Sequence, residues 1–161
     1  MFQKTNYSGD LAARYNLLAK QLNALLEGEK DTVSNLSNAS ALLNQFLDNI
    51  NWCGFYIFKN NELLLGPFQG LPACMHIPIG KGVCGTSAQL KETLVVEDVD
   101  AFPGHIACDS ASQSEIVVPI IINSILYGVL DIDSPVKNRF SKEDQNGLEQ
   151  FVTVLTKHIH S

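Results

Sequence analysis

The chain has 161 residues, of which 45% are apolar, enough for a hydrophobic core and too many for a disordered polymer. Eleven basic against 17 acidic residues give a net charge of −6 with no basic cluster, which argues against nucleic acid as a partner. No apolar run approaches the roughly 20 residues of a membrane span. The opening MFQKTNYSGD lacks a signal-peptide pattern, so the expectation is a single domain over 1–161 in the cytoplasm.

Leu11, Tyr15, Leu18, Leu22 and Leu25 recur at helical spacing between Ser8 and Gly28, with Ser8 or Asp10 as cap and Gly28 as stop. A second helix is expected on the stripe Val33, Leu36, Leu43, Phe46, Leu47 and Ile50, capped by Asp31. The period then changes. WCGFYIFKNNELLLGPFQG reads as a hairpin turning at KNNE, ACMHIPIGKG as a short strand running into a glycine turn, and GVCGTSAQLKE as a short helix. TLVVEDVD is another strand, and Asp100 to Glu115 a long loop. IVVPIIINSILYGVLDID reads as a hairpin about NS. A helix from Ser141 to His158 closes the chain, with Ser141 as cap and Asp144 at its third position. The fold class is α+β, helices packed on a mostly antiparallel sheet.

Four cysteines are present: Cys53, Cys74, Cys84 and Cys108. A chain of this size without an export signal does not need structural disulfides, which leaves catalytic, metal-binding or inert thiols. Cys53 lies among Phe55 and Ile57 on one face of its strand and reads as a core thiol. The other three sit near loops, among small residues. His105-x-x-Cys108 and Cys74-x-His76 have ligand-like spacing, but no C-x-x-C pair accompanies them, so metal binding is the weaker reading. His158-x-His160 reads as a solvated tail. Thiol redox chemistry needs an attacking thiolate and a second thiol to resolve the product, and loop cysteines meet that need. The small residues Ala107, Ser110, Ala111 and Ser112 would let Cys108 move.

Asp131 and Asp133 end an otherwise apolar strand and share one face, with Tyr127 and Val129 on the same side. Either the strand end reaches solvent, or the two carboxylates build an anionic pocket for a cation such as an amine. A simple two-residue turn at Asn123-Ser124 would set Asp131 opposite Ile116 and turn Glu115 to the other face. If Glu115 joins the aspartates, the hairpin must carry a one-residue bulge or a three-residue loop; otherwise Glu115 precedes the regular pairing. On the first strand Trp52, Gly54, Tyr56 and Phe58 share a face, either as core or as a pocket wall that Gly54 opens.

The stretches NWCGFY, LPACMHIPIGKGVCGTSA, VVEDVDAFPGHIACDSASQSEIVVPI and YGVLDIDSP together resemble the free methionine-(R)-sulfoxide reductases, single GAF-domain enzymes. The resemblance runs roughly from Tyr15 to Phe151. It implies a GAF-like fold and reduction of free L-methionine (R)-sulfoxide by cysteine thiols, with no cofactor and no metal. It also implies Cys108 as attacking thiol, Cys74 as resolving partner, and Cys84 as a second resolving or relay thiol. Glu115, Asp131 and Asp133 would be the pocket carboxylates, with Trp52 and Tyr56 as the aromatic wall. Thioredoxin or a similar dithiol would regenerate the enzyme, and a homodimer is compatible with GAF domains. The alternative is a stand-alone GAF sensor of a small molecule or of redox state. Sensors usually act through a joined output domain, for which this chain has no room.

Overall fold

The computed structural model describes residues 2–106 and 108–160; Ala107, one of the small residues noted beside Cys108, lies outside them. Among the described residues there are four α-helices: α1 (Leu11–Leu26), α2 (Thr32–Phe46), α3 (Gly82–Leu90) and α4 (Lys142–Thr156). The same residues form six strands: β1 (Trp52–Lys59), β2 (Glu62–Gly70), β3 (His76–Pro78), β4 (Leu94–Val96), β5 (Ser114–Ile122) and β6 (Ile125–Ser134). The strands make one sheet in the order β3-β2-β1-β6-β5-β4. Every neighbouring pair is antiparallel. Among the described residues, no helix is long and apolar enough to cross a membrane.

Local chemistry accounts for most element ends. Asp10, not Ser8, caps α1, its carboxylate accepting from the Ala13 amide at 2.8 Å. Asp31 caps α2 in the same way through Ser34. α2 stops at Phe46, four residues short of the apolar stripe, because the chain leaves the helix at Leu47 and turns at Asn49 with φ of 56°. Leu47 and Ile50 still pack on the same core from beyond the helix, whereas Val33 faces solvent. Ser141 and Asp144 form a reciprocal capping box on α4. The C-terminal histidines are not a free tail. The carbonyls of His158 and His160 accept from Asn35 and Thr32 of α2.

The hairpin turns carry the left-handed pairs that two-residue loops demand, at Asn60-Asn61 and Asn123-Ser124. The β1–β2 hairpin turns in the KNNE stretch as the sequence suggests. Pro119 is tolerated in β5 because β4 pairs only with Glu115, Ile116 and Val117, so the strand's outer edge is free beyond them. The long segment after β4 contains one 3₁₀ turn, Val99–Ala101, capped by Asp98.

Two apolar cores lie on opposite faces of the sheet. The larger joins Tyr15, Leu18, Leu22, Leu36, Leu43, Phe151 and Leu155 of α1, α2 and α4 to Cys53, Phe55, Ile116, Leu130 and Ile132. The smaller joins Trp52, Tyr56, Val117 and Val129 to Val83, Cys84 and Ala88 of α3. Cys53 is buried in the larger core with its thiol 3.6 Å from the Ser40 carbonyl, and burial pushes its pKa far up, as befits an inert thiol.

Candidate active site

The pairing of β5 with β6 builds the site. From the turn, Ile122 faces Ile125 and Ile121 faces Leu126; then the register slips, and Ile120 faces Gly128. Tyr127 is the extra residue. Beyond this bulge Val117 faces Asp131 and Glu115 faces Asp133, so the three carboxyl groups share one face. The irregularity that Glu115 requires is therefore present. The same bulge corrects the place of Tyr127. It leaves the aspartates' face and packs against the larger core on the other side, while Val129 stays with the smaller one. Gly128 is needed here, since a Cβ would run into the Tyr56 carbonyl of β1.

A cavity of about 40 Å³ lies against this face. Its lining brings together Trp52, Tyr56, Cys84, Cys108, Glu115, Asp131 and Asp133, from β1, α3, the loop before β5, β5 and β6. Trp52 and Tyr56 stack with ring centroids 5.8 Å apart, and Phe68 backs Trp52 at 5.1 Å. Both aromatics are buried, so the choice between core and pocket wall is no choice: they are both. Trp52 Nε1 donates to the Leu71 carbonyl at 3.1 Å, and Tyr56 Oη donates to the Cys74 carbonyl at 2.9 Å. The sheet aromatics thereby hold the segment that carries Cys74.

Cys74 does not line the cavity, but it is joined to Cys108 by a disulfide, Cα to Cα 5.7 Å, across a sequence separation of 34. Cys84 is free and buried, its sulfur 3.9 Å from Glu115 Oε2. Gly82, with φ of 64°, opens α3 where a Cβ would press on Ile106, so the Cys108 loop can lie against the helix.

Glu115 and Asp131 are 5% and 6% exposed. Burial, then the charge of Asp133, raises the Glu115 carboxyl well above its ordinary range. Asp131 is raised by burial and by Glu115, and Asp133 by burial and by Asp131. The Cys84 thiol is also raised, by burial and then by Asp131. Burial and mutual repulsion thus favour the neutral acid form within this cluster, the form from which a proton can be donated. One oxygen each of Asp131 and Asp133 is buried without a hydrogen-bond partner, which marks a place for a donor or a cation. Cys84, Glu115 and Asp131 also bring one ligand atom each within 4.8 Å of one another, a set able to hold a metal ion. The pairs His105–Cys108 and Cys74–His76 form no such group among the described residues: His76 instead pairs with Glu62 at 2.7 Å.

Sequence reasoning assigned no pocket role to His105, whose Nε2 lies 3.7 Å from Glu115 Oε1 inside the cavity. It also missed Asn51, which donates to Asp109 at 3.0 Å and Ser112 at 3.1 Å and so ties the Cys108 loop to the start of β1. His105 was visible only as a neighbour of Cys108 in sequence, and Asn51 carried no signal.

Residues 22–159 match the GAF domain family. The free methionine-R-sulfoxide reductase of Escherichia coli (strain K12) is 50% identical over 143 residues, 89% of this chain and 87% of that protein. The fRMsr of Staphylococcus aureus, solved in complex with its substrate, is 52% identical with a TM-score of 0.88 over 97% of this chain and all (100%) of the other. The enzyme of Neisseria meningitidis, also solved with its substrate, is 41% identical with a TM-score of 0.93, over 98% of this chain and 95% of the other. A bulged hairpin carrying three carboxyl groups, a disulfide at the cavity wall and these likenesses agree: the chain belongs to the GAF family and, within it, to the free methionine-R-sulfoxide reductases.

Proposed function

We propose that this chain reduces free L-methionine (R)-sulfoxide to methionine, with Cys108 as nucleophile and Cys74 as resolving thiol. The observation that carries the assignment of roles is the Cys74–Cys108 bond, made at the wall of a cavity lined by Glu115, Asp131 and Asp133. The Cys108 thiolate attacks the sulfoxide sulfur. Glu115, whose neutral acid form burial favours, gives its proton to the sulfoxide oxygen. Oxygen passes to the Cys108 sulfur as a sulfenic acid, and methionine leaves. The Cys74 thiol then attacks that sulfur, the disulfide forms and water departs. Thioredoxin or a similar dithiol returns both cysteines to thiols.

The unpartnered oxygens of Asp131 and Asp133 suit the ammonium of a free amino acid, which a peptide-bound residue lacks. Trp52 and Tyr56 suit the methyl and the polarised sulfur. The hand of the sulfoxide follows from the relatives alone. In this reading Cys84 supports the acid cluster from α3 and lies outside the disulfide.

The test is turnover of the separated free sulfoxide epimers, and of an N-acetylated sulfoxide, with dithiothreitol as reductant. The free R epimer should be consumed and the acetylated one should not. Undiminished turnover by Cys108→Ser would remove the proposed nucleophile.

A further inference from the structure

Both cysteines of the disulfide are half-buried, and the cavity distinguishes them. Cys108 lines the cavity; Cys74 does not. The cavity on the inner side measures about 40 Å³, well short of the roughly 300 Å³ at which pockets begin to enclose small ligands, so a protein reductant does not reach Cys108 through it. Next to Cys108, Asp109 is committed to Asn51 and to the Ala111 amide.

Cys74 has different surroundings. Leu71 and Met75 stand on either side of it in the segment between β2 and β3, 63% and 69% exposed. The segment is pinned. Carbonyls of Leu71, Cys74 and Met75 accept from Trp52, Tyr56 and the Leu65 amide at 3.1, 2.9 and 3.0 Å. Single exposed apolar side chains are ordinary on any surface. Here two of them flank the one disulfide among the described residues, the bond an external reductant has to reach, on backbone held by these three hydrogen bonds.

We propose that Leu71 and Met75 dock a protein dithiol whose attacking thiolate lies in a flat apolar face, and that this thiolate attacks Cys74. The inference rests on the reductase reading above. The incoming thiolate forms a bond to Cys74 Sγ, the Cys74–Cys108 bond breaks, and its electron pair leaves on the Cys108 sulfur. The partner's second thiol, deprotonated, then attacks the partner sulfur of the mixed disulfide. Cys74 departs as a thiolate, and the partner leaves as a disulfide. Two electrons have passed to the chain. This order returns Cys108 to the pocket as a free nucleophile while the partner still occupies Cys74.

The test uses thioredoxin whose second active-site thiol is replaced by Ser, mixed with the oxidised wild-type chain, and peptide mapping of the trapped mixed disulfide. The bond is expected on the Cys74 peptide. In steady state, Met75→Glu should raise KM for intact thioredoxin about tenfold, equivalent to ~1.4 kcal/mol, and leave turnover with dithiothreitol unchanged; Met75→Leu should behave as wild type. A mixed disulfide on Cys108, or an unchanged KM for Met75→Glu, overturns the proposal while dithiothreitol turnover stands. A wild-type chain that does not turn over with dithiothreitol overturns the reductase reading and this proposal with it.

Discussion

Oxidation of the Cys74–Cys108 pair should close the chain to its own substrate. The space left beside Cys108 is about 40 Å³, whereas pockets that enclose small ligands measure roughly 300–1,000 Å³. Methionine sulfoxide enters only if the Cys108 loop withdraws, and the disulfide holds that loop to a segment pinned by Tyr56 and Trp52. The affinity of the oxidised chain should therefore be at least about a hundredfold below that of the reduced one, ~2.7 kcal/mol. Calorimetric titration of methionine into reduced and oxidised wild type, and of methionine sulfoxide into Cys108→Ser, measures this directly. Linkage demands the reciprocal effect. Saturating methionine should stabilise the dithiol form and raise the midpoint potential by about 60 mV, since a tenfold ratio corresponds to ~30 mV for two electrons. Dissociation constants within about threefold of each other in the two redox states would refute the reasoning.

Glu115→Gln keeps the shape of the side chain and removes its proton, so kcat with dithiothreitol should fall about 10²–10⁴-fold; an unchanged kcat would end its role as acid. For Asp131 the sign follows from its raised pKa in the fold. The unfolded chain releases this proton near pH ~3.9 while the folded chain keeps it, so stability falls as pH rises above that value. Asp131→Asn abolishes this dependence, and in urea titrations its stability relative to wild type should improve from pH 4 to pH 8 by more than about 1 kcal/mol. Gly54→Ala sets a Cβ 2.7 Å from Phe68 Cα and 2.9 Å from the Pro67 carbonyl, both backbone, and should cost about 1–3 kcal/mol or more in urea unfolding.

The helices were legible because their signals are local. Capping carboxylates at Asp10 and Asp31, the capping box at Ser141 and Asp144, and the 3.6-residue stripes all act within a few residues. The end of α2 was not, since Leu47 and Ile50 continue the apolar count from beyond the helix, and the core accepts a side chain regardless of its backbone. The carboxyl cluster was legible as a condition: parity showed that Glu115 could join Asp131 and Asp133 only across an irregularity. Its position at Tyr127 was not readable, because Leu126, Tyr127 and Val129 are all large and apolar and any of them could have been the extra residue. His105 reaches Glu115 through the path of a loop, which no periodicity encodes.

The slip in the β5–β6 ladder lies close to the Asn123-Ser124 turn, away from the carboxyl groups. Between it and the far end of the hairpin, every pair from Ile120 with Gly128 to Ser114 with Ser134 is in step. The tip of the hairpin can thus gain or lose a residue and absorb the change before it reaches Asp131, whereas the same change made between Val129 and Asp133 would swing an aspartate into the apolar core under the helices. Insertions and deletions should be found at the tip among homologous chains, and the stretch from Val129 to Asp133 should keep its length.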